Sequence, residues 1–200
     1  MRLIGMLDSP YVRRVAVSLK FLEIPFVQEQ VSVFRHFDEF AAINPVVKAP
    51  TLVTADDIVL MESSLILEFI ARMAPRSLMP KDPSAHAHAL RCIGLALAAC
   101  EKSVQVVYER NLRPAEKQHQ PWLDRVTGQL TAALSALEKI ASPEWFRRSE
   151  VFQPEITTAV AWRFTQHVAP ELAPAGQFPA LCALSARAEV LSPFLETDFK

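Results

Sequence analysis

Cysteine is missing from the first 83 residues; the chain holds only Cys92, Cys100 and Cys182. An odd number of cysteines confined to the later part argues against a disulfide framework, and their spacing matches no zinc motif. They read as reduced thiols that behave as small hydrophobes. An excess of either charge is missing too: 21 basic against 22 acidic side chains leave a formal net charge of −1. Arg13-Arg14 is a pair, not a polybasic patch, so neither nucleic acid nor an anionic membrane is expected as a partner. No run of 18 uninterrupted apolar residues exists, which excludes an ordinary membrane-spanning helix. Met1-Arg2-Leu3-Ile4 leads straight into a strand-like run without a signal-peptide layout. The expected location is the cytoplasm. What is abundant is apolar side chain, 50% of 200 residues. That supports one large domain or two small ones.

The spacing of those apolar residues changes along the chain. Leu3–Leu7 predicts a strand ending at Asp8-Ser9-Pro10, and Pro10 suits the first turn of a helix. Val12, Val15, Ala16, Leu19 and Leu22 recur at helical intervals until Ile24-Pro25. Phe26–Val31 reads as a second strand. A short helix spans Phe37 to Ile43 and stops at Asn44-Pro45. Pro50–Thr54 and Ile58–Met61, joined by an acidic turn, predict a hairpin. Ser63 or Ser64 is placed to cap a helix with Leu65, Ile66, Phe69, Ile70 and Met73 on its apolar face. The first two strands and their crossover helix should be parallel, and the hairpin antiparallel. The result is a mixed four-stranded sheet of thioredoxin-like type in an α/β N-terminal domain.

Residues 74–83 contain Pro75, Pro80 and Pro83 and read as the approach to a linker. Only helical spacing follows. A long helix runs over Ala85–Glu109, and a second over Trp122–Ile140, bracketed by Pro121 and Ser142-Pro143. Further helices fall at Ile156–Val168 and Phe178–Val190, with a short terminal segment. The predicted domains are 1–76, thioredoxin-like; 77–83, linker; and 84–200, an all-α C-terminal domain.

Three short motifs carry chemistry. Ser9-Pro10-Tyr11-Val12 lies at the junction of the first strand and helix. A helix N-terminus favours an anion. Dithiol exchange would need cysteine at both ends of this tetrapeptide, where Ser9 and Val12 stand. A hydroxyl there can donate to the thiolate of an external thiol. A thiol of pKa about 8.5 is only a few per cent ionised at neutral pH. Lowering that value by about 2 units takes about 2.7 kcal/mol, which one charge-assisted hydrogen bond and a helix terminus could supply together. Ser9-Pro10 would equally serve as an ordinary helix cap.

Lys48-Ala49-Pro50-Thr51-Leu52 places a proline at the start of a strand. In a thioredoxin-like unit a cis-proline faces the first loop and turns the backbone of the preceding residue, here Ala49, toward a peptide-like ligand. An edge strand with a trans proline is the alternative. Glu62-Ser63 precedes the third helix. Ser63 could offer its hydroxyl and N–H to a carboxylate, and Glu62 could accept from an ammonium, which suits an α-amino acid head group. A plain helix cap is again the alternative.

The order and spacing of these motifs, together with Arg13-Arg14, Asn44-Pro45, the proline-rich linker and the helical second half, resemble the cytosolic glutathione S-transferase superfamily. The resemblance spans the chain, is strongest over 1–83, and points to the bacterial YibF-like branch with serine at the N-terminal active-site position. It implies a transferase in which Ser9 activates the thiol of glutathione. Ala49 and Pro50 would meet the cysteinyl part, and Glu62 and Ser63 the γ-glutamyl end. His36 and Lys48 are candidates for the glycyl carboxylate. Glutathione would be a co-substrate, with no cofactor and no metal, a small electrophile the second substrate, and detoxification the setting. A homodimer is implied. Tyr11, Phe34, Tyr108 and Trp162 are candidates for lining the electrophile pocket, expected between the domains.

A non-catalytic binding or regulatory module of the same fold is the alternative function. A cysteine-type thiol transferase is disfavoured, because residues 1–83 lack the thiol. One departure from the superfamily stands out: the fourth-position acid that usually follows Ser or Thr at the start of the buried C-terminal helix is missing after Thr157-Thr158. Either threonine would then have to cap alone.

Overall fold

In the computed structural model, residues 1–141, 145 and 151–199 are described. They group into two compact units, one of residues 1–78 with 190–200 and one of residues 79–189.

The first unit is built on strands β1 (Arg2–Ile4), β2 (Val27–Glu29), β3 (Thr51–Val53) and β4 (Val59–Met61). Their spatial order is β2-β1-β3-β4. β1 pairs parallel with β2 and antiparallel with β3, and β3 pairs antiparallel with β4. The central strands carry the apolar side chains. Ile4 and Val53 pack with Phe40 and Val31 on the face covered by α2 (Phe37–Ile43). Side chains alternate along a strand, so Leu3 and Leu52, paired and both fully buried, face the other side. There α1 (Pro10–Phe21) and α3 (Ser63–Met73) pack together through buried residues such as Val15, Leu19, Ile66 and Ile70. Full burial of one such side chain is worth about 1.5–3 kcal/mol relative to exposure.

The helices of the second unit are α4 (Pro83–Leu112), α5 (Gln120–Ile140), α6 (Gln153–Val168) and α7 (Pro179–Ala188). Asp82 caps α4 by accepting from the Ala85 N–H at 2.8 Å. α4 packs on both α5 and α6. α6 is buried along most of its length, and its Thr165 meets Ser103 of α4 at 3.0 Å. Glu138 of α5 caps α7 from a distance in sequence. Its two carboxylate oxygens accept from the N–H groups of Ala180 and Leu181 at 2.7 and 2.9 Å.

Several boundaries differ from the expected ones. The strands are shorter than their apolar runs, since β1 ends at Ile4 and not Leu7. α3 is capped by Glu62, whose carboxylate accepts from the Ser64 N–H; Ser63 and Ser64 lie inside the helix. α6 starts before the expected Ile156, so Thr157 and Thr158 are interior residues. The Thr157 hydroxyl donates back to the Gln153 carbonyl at 2.8 Å, and Glu155 serves the terminus by accepting from the Phe152 N–H at 2.7 Å. Apolar periodicity begins at Ile156 and hid that first polar turn. The proposed stop at Ser142-Pro143 falls outside the described residues.

The expected C-terminal domain of 84–200 also loses its last segment. Residues 190–199, with the short helix α8 (Ser192–Leu195), group with the first unit, and α8 packs on α1. Arg13, a fully buried cation of α1, is bonded by that segment through the carbonyls of Phe194 and Thr197. A side chain four residues into a helix gives no sequence signal of a partner 180 residues away.

Candidate functional site

Strand register brings the three motifs to one end of the sheet. Ile4 at the end of β1 pairs with Thr51 at the start of β3, and Thr51 with Met61 at the end of β4. The loop 5–9, Ala49-Pro50 and Glu62-Ser63 therefore all leave the sheet at that end. Ile4 also pairs with Glu29, so the segment leading to His36 emerges there as well. Ligand crevices in sheets of this kind form outside strand ends.

Ser9 is the N-cap residue of α1, with extended backbone, and its side chain makes no capping hydrogen bond. Its carbonyl accepts from the Arg13 N–H at 2.9 Å and its own N–H donates to the Met6 carbonyl at 3.2 Å. The hydroxyl is half-buried at the positive end of the helix dipole and is not consumed by the cap.

The Ala49-Pro50 peptide is cis. Asn44, buried at the C-terminus of α2, shapes the loop before it. Its amide donates to the Thr51 hydroxyl at 2.8 Å, its carbonyl oxygen accepts from the Val46 N–H at 3.1 Å, and the Thr51 hydroxyl donates to the Lys48 carbonyl at 2.8 Å. Val47 adopts a φ of +52° in this loop, an uncommon conformation for a β-branched residue. Among the described residues, neither the N–H nor the carbonyl of Ala49 has a hydrogen-bond partner.

Gly5, which sequence reasoning passed over, links these two pieces. Its φ is +136°, and an added Cβ would lie 2.6 Å from Val12 Cγ2 and 3.1 Å from Ala49 Cβ. The first loop can approach Ala49 this closely only with glycine there. Its signal was a lone glycine at the end of a strand run.

Glu62 sits at φ +71° and ψ 123°, a strained position for a side-chain-bearing residue that costs on the order of 1–3 kcal/mol. Its Oε1 accepts from the Ser64 N–H at 3.1 Å and from the Ser63 hydroxyl at 3.2 Å. Among the described residues Oε2 has no partner and remains an open acceptor. Arg14, noted in the sequence only as part of the Arg13-Arg14 pair, reaches across from α1 and donates through Nη1 to the Ser63 and Ser64 hydroxyls at 3.0 and 3.3 Å. Ser63 is only 1% exposed, so its hydroxyl is held between Arg14 and Glu62 and does not face outward. Buried positive charge thus stands directly behind the N-terminus of α3.

Lys48 and His36 are both exposed. The His36 ring accepts through Nδ1 from the Ser32 N–H at 3.1 Å, which leaves Nε2 as the outward donor. Tyr11 is half-buried and Phe34 exposed. Tyr108 is partly exposed on α4, and burial raises its phenol pKa. Trp162 is a core residue of the second unit, its ring 5.5 Å from that of Phe178. Burial raises the thiol pKa of Cys92 and of Cys182, and Glu138 adds to the rise at Cys182. Neither is an activated nucleophile. Among the described residues no group of three or more His, Cys, Asp or Glu side chains is placed to hold a metal ion, and no helix is long and apolar enough to cross a membrane.

Residues 3–78 match the family model described as glutathione S-transferase, N-terminal domain. The uncharacterized GST-like protein YibF of Escherichia coli is 30% identical over 142 residues, covering 69% of this chain and 68% of that protein. A glutathione S-transferase of Methylobacterium radiotolerans, solved with glutathione sulfonate, superposes with a TM-score of 0.90 at 26% identity, over 98% of this chain and 93% of that one. A glutathione transferase family member of Pseudomonas fluorescens, solved with bound glutathione, gives 0.87 at 28% identity, over 100% and 98%.

Proposed function

The chain belongs to the glutathione S-transferase superfamily, and from that premise we propose that it binds glutathione at the sheet end of its first unit and activates the thiol for attack on a small electrophile. The observation that carries this reading is the convergence of Ser9, Ala49-Pro50 and Glu62-Ser63 at one end of the sheet by strand register.

The Ser9 hydroxyl donates to the sulfur and favours the thiolate, helped by the α1 N-terminus. The free N–H and carbonyl of Ala49, beside Pro50, pair with the cysteinyl backbone as an added strand would. The open Oε2 of Glu62 accepts from the γ-glutamyl ammonium. The γ-glutamyl carboxylate faces the Ser63 N–H at the start of α3, with Arg14 behind it supplying charge rather than a direct contact. Lys48 and the outward Nε2 of His36 serve the glycyl carboxylate. In the reaction the thiolate electron pair forms the C–S bond, and the leaving group departs with the pair of the bond that breaks. The protein works as a homodimer. Exposed apolar side chains on the edge strand β4 and on α3, Val59, Met61, Leu65 and Met73, support that assembly; sedimentation at the mass of one chain would count against it.

The test is retention on immobilised glutathione followed by turnover with a panel of electrophiles, each compared with Ser9→Ala. The variant should keep its affinity within a few fold while the bound thiol, followed by its ultraviolet thiolate absorbance, titrates at higher pH. An unchanged thiol pKa removes Ser9 from the mechanism. Retention without turnover of any electrophile would make the chain a binding module.

A further inference from the structure

α1 is held from two sides. On one, Arg14 ties it to α3. On the other lies a cation that the glutathione-binding reading leaves unused. Arg13 is 0% exposed. Its Nε donates to the Thr197 carbonyl at 3.0 Å and its Nη2 to the Phe194 carbonyl at 3.3 Å. Its guanidinium lies over the rings of Phe194 and Phe199, 5.6 and 5.1 Å from their centroids. Asp198 Oδ1 is 4.0 Å from Nη2 and half-exposed. Further along the same helix Lys20 pairs with Glu196 at 2.6 Å, and Phe21 meets Phe194 edge to face at 6.1 Å.

A guanidinium taken out of water needs its donors satisfied and its charge offset. Toward that end residues 194–199 supply two carbonyls at the end of a helical turn, two aromatic faces and one carboxylate. Arg13 stands four residues after Ser9, one turn along the same helix face, and its N–H bonds the Ser9 carbonyl. Whatever fixes Arg13 fixes the first turn of α1, where the hydroxyl must be aimed.

We infer that the C-terminal segment 194–199 is a positioning element for the thiol site, pinning the N-terminal turn of α1 through Arg13 so that the Ser9 hydroxyl points at the bound sulfur. Arg13 touches neither substrate in this arrangement. The inference rests on the proposed role of Ser9. Reactivity is steep in placement, since a displacement of about 1 Å can cost on the order of a hundredfold. A loosened turn therefore weakens thiolate stabilisation before it unfolds anything.

The test uses the full chain with Phe199→Leu, which keeps apolar cover but removes the ring face; Phe199→Tyr, which keeps the ring; and Ser9→Ala. Cation–π contacts at buried sites suggest that Phe199→Leu slows turnover below the thiol pKa by roughly three- to tenfold. The bound thiol should titrate at higher pH, glutathione KM should stay within about twofold, and Phe199→Tyr should restore the native values. The amide of Arg13 should exchange with deuterium faster in Phe199→Leu without ligand, at a melting temperature close to that of the native protein. If Ser9→Ala shifts the thiol titration and Phe199→Leu shifts neither titration nor exchange, the positioning role is wrong and the site reading stands. If Ser9→Ala leaves the titration unchanged, the role of Ser9 fails and the positioning role with it.

Discussion

The two units use polar side chains in opposite ways. In residues 79–189 most of the inward polar groups meet one another or the backbone, Ser103 with Thr165, the half-buried Glu138 with the α7 terminus, Glu155 with Phe152 and Thr157 with Gln153, although the Thr158 hydroxyl is buried there without a partner among the described residues. In the first unit the polar groups of the sheet end are left facing outward: the Ser9 hydroxyl, the Ala49 backbone, one oxygen of Glu62. Backbone strain divides the same way. Among the described residues every non-glycine with positive φ, namely Glu23, Val47, Asp57 and Glu62, lies in the first unit, as does Gly5. Glu23 and Asp57 occupy ordinary turns, but Val47 and Glu62 flank the candidate site. The polar groups of the second unit mostly satisfy each other; strained residues with open donors and acceptors gather instead at the sheet end of the first, where the ligand is proposed to bind.

Glycine gives the largest expected effect. Gly5→Ala forces a Cβ into Val12 and Ala49 at a positive φ, and should cost about 2–4 kcal/mol by denaturant unfolding. Gly128→Ala in α5 meets nothing within 4 Å and should stabilise by about 0.5–1 kcal/mol. Equal signs for the two would erase the contrast. Glu62→Gln should weaken glutathione binding by about 1.5–3 kcal/mol, tenfold or more, because a charged acceptor is lost. A glutathione analogue lacking the γ-glutamyl amine should bind both forms alike in calorimetry. Equal loss for the two ligands would mean that Glu62 acts through folding. Glu138→Ala removes two capping bonds and should cost about 1–2 kcal/mol of stability while leaving retention on glutathione intact.

The smallest effect is a pH dependence in the second unit. The hydrogen bond from Arg110 holds the Glu171 carboxyl below its ordinary value of 4.5. The pair's contribution is thus fully present above about pH 4.5 and is lost as pH falls through the lower folded value. Both side chains are well exposed, so Arg110→Ala should flatten the acid limb of a melting curve by at most about 0.5 kcal/mol.

Local pattern made the sheet, its helices and the three motifs readable, because each is a matter of period, proline or serine at a junction. α2 matched its expected span, Phe37–Ile43, since Asn44-Pro45 marks its end. The residues that escaped act across the sequence. Arg14 stood in the sequence only as half of the Arg13-Arg14 pair until α3 was beside it, and Ser63 looked like an outward donor until Arg14 claimed its hydroxyl. Glu138 caps a helix 42 residues away. Gly5 left a weak trace, and the Arg13-Arg14 pair gave no sign of what Arg13 would meet.

The tether of Arg13 to residues 194–199 also has a consequence for synthesis. The ribosome makes α1 well before its cover. At cellular elongation rates the roughly 170 intervening residues take on the order of ten seconds to appear. For that interval the apolar flank of α1 and its guanidinium are uncovered in a nascent chain, the kind of surface that holding chaperones bind. A stop codon placed before Phe194 would make that interval permanent, so truncation there should harm the first unit most.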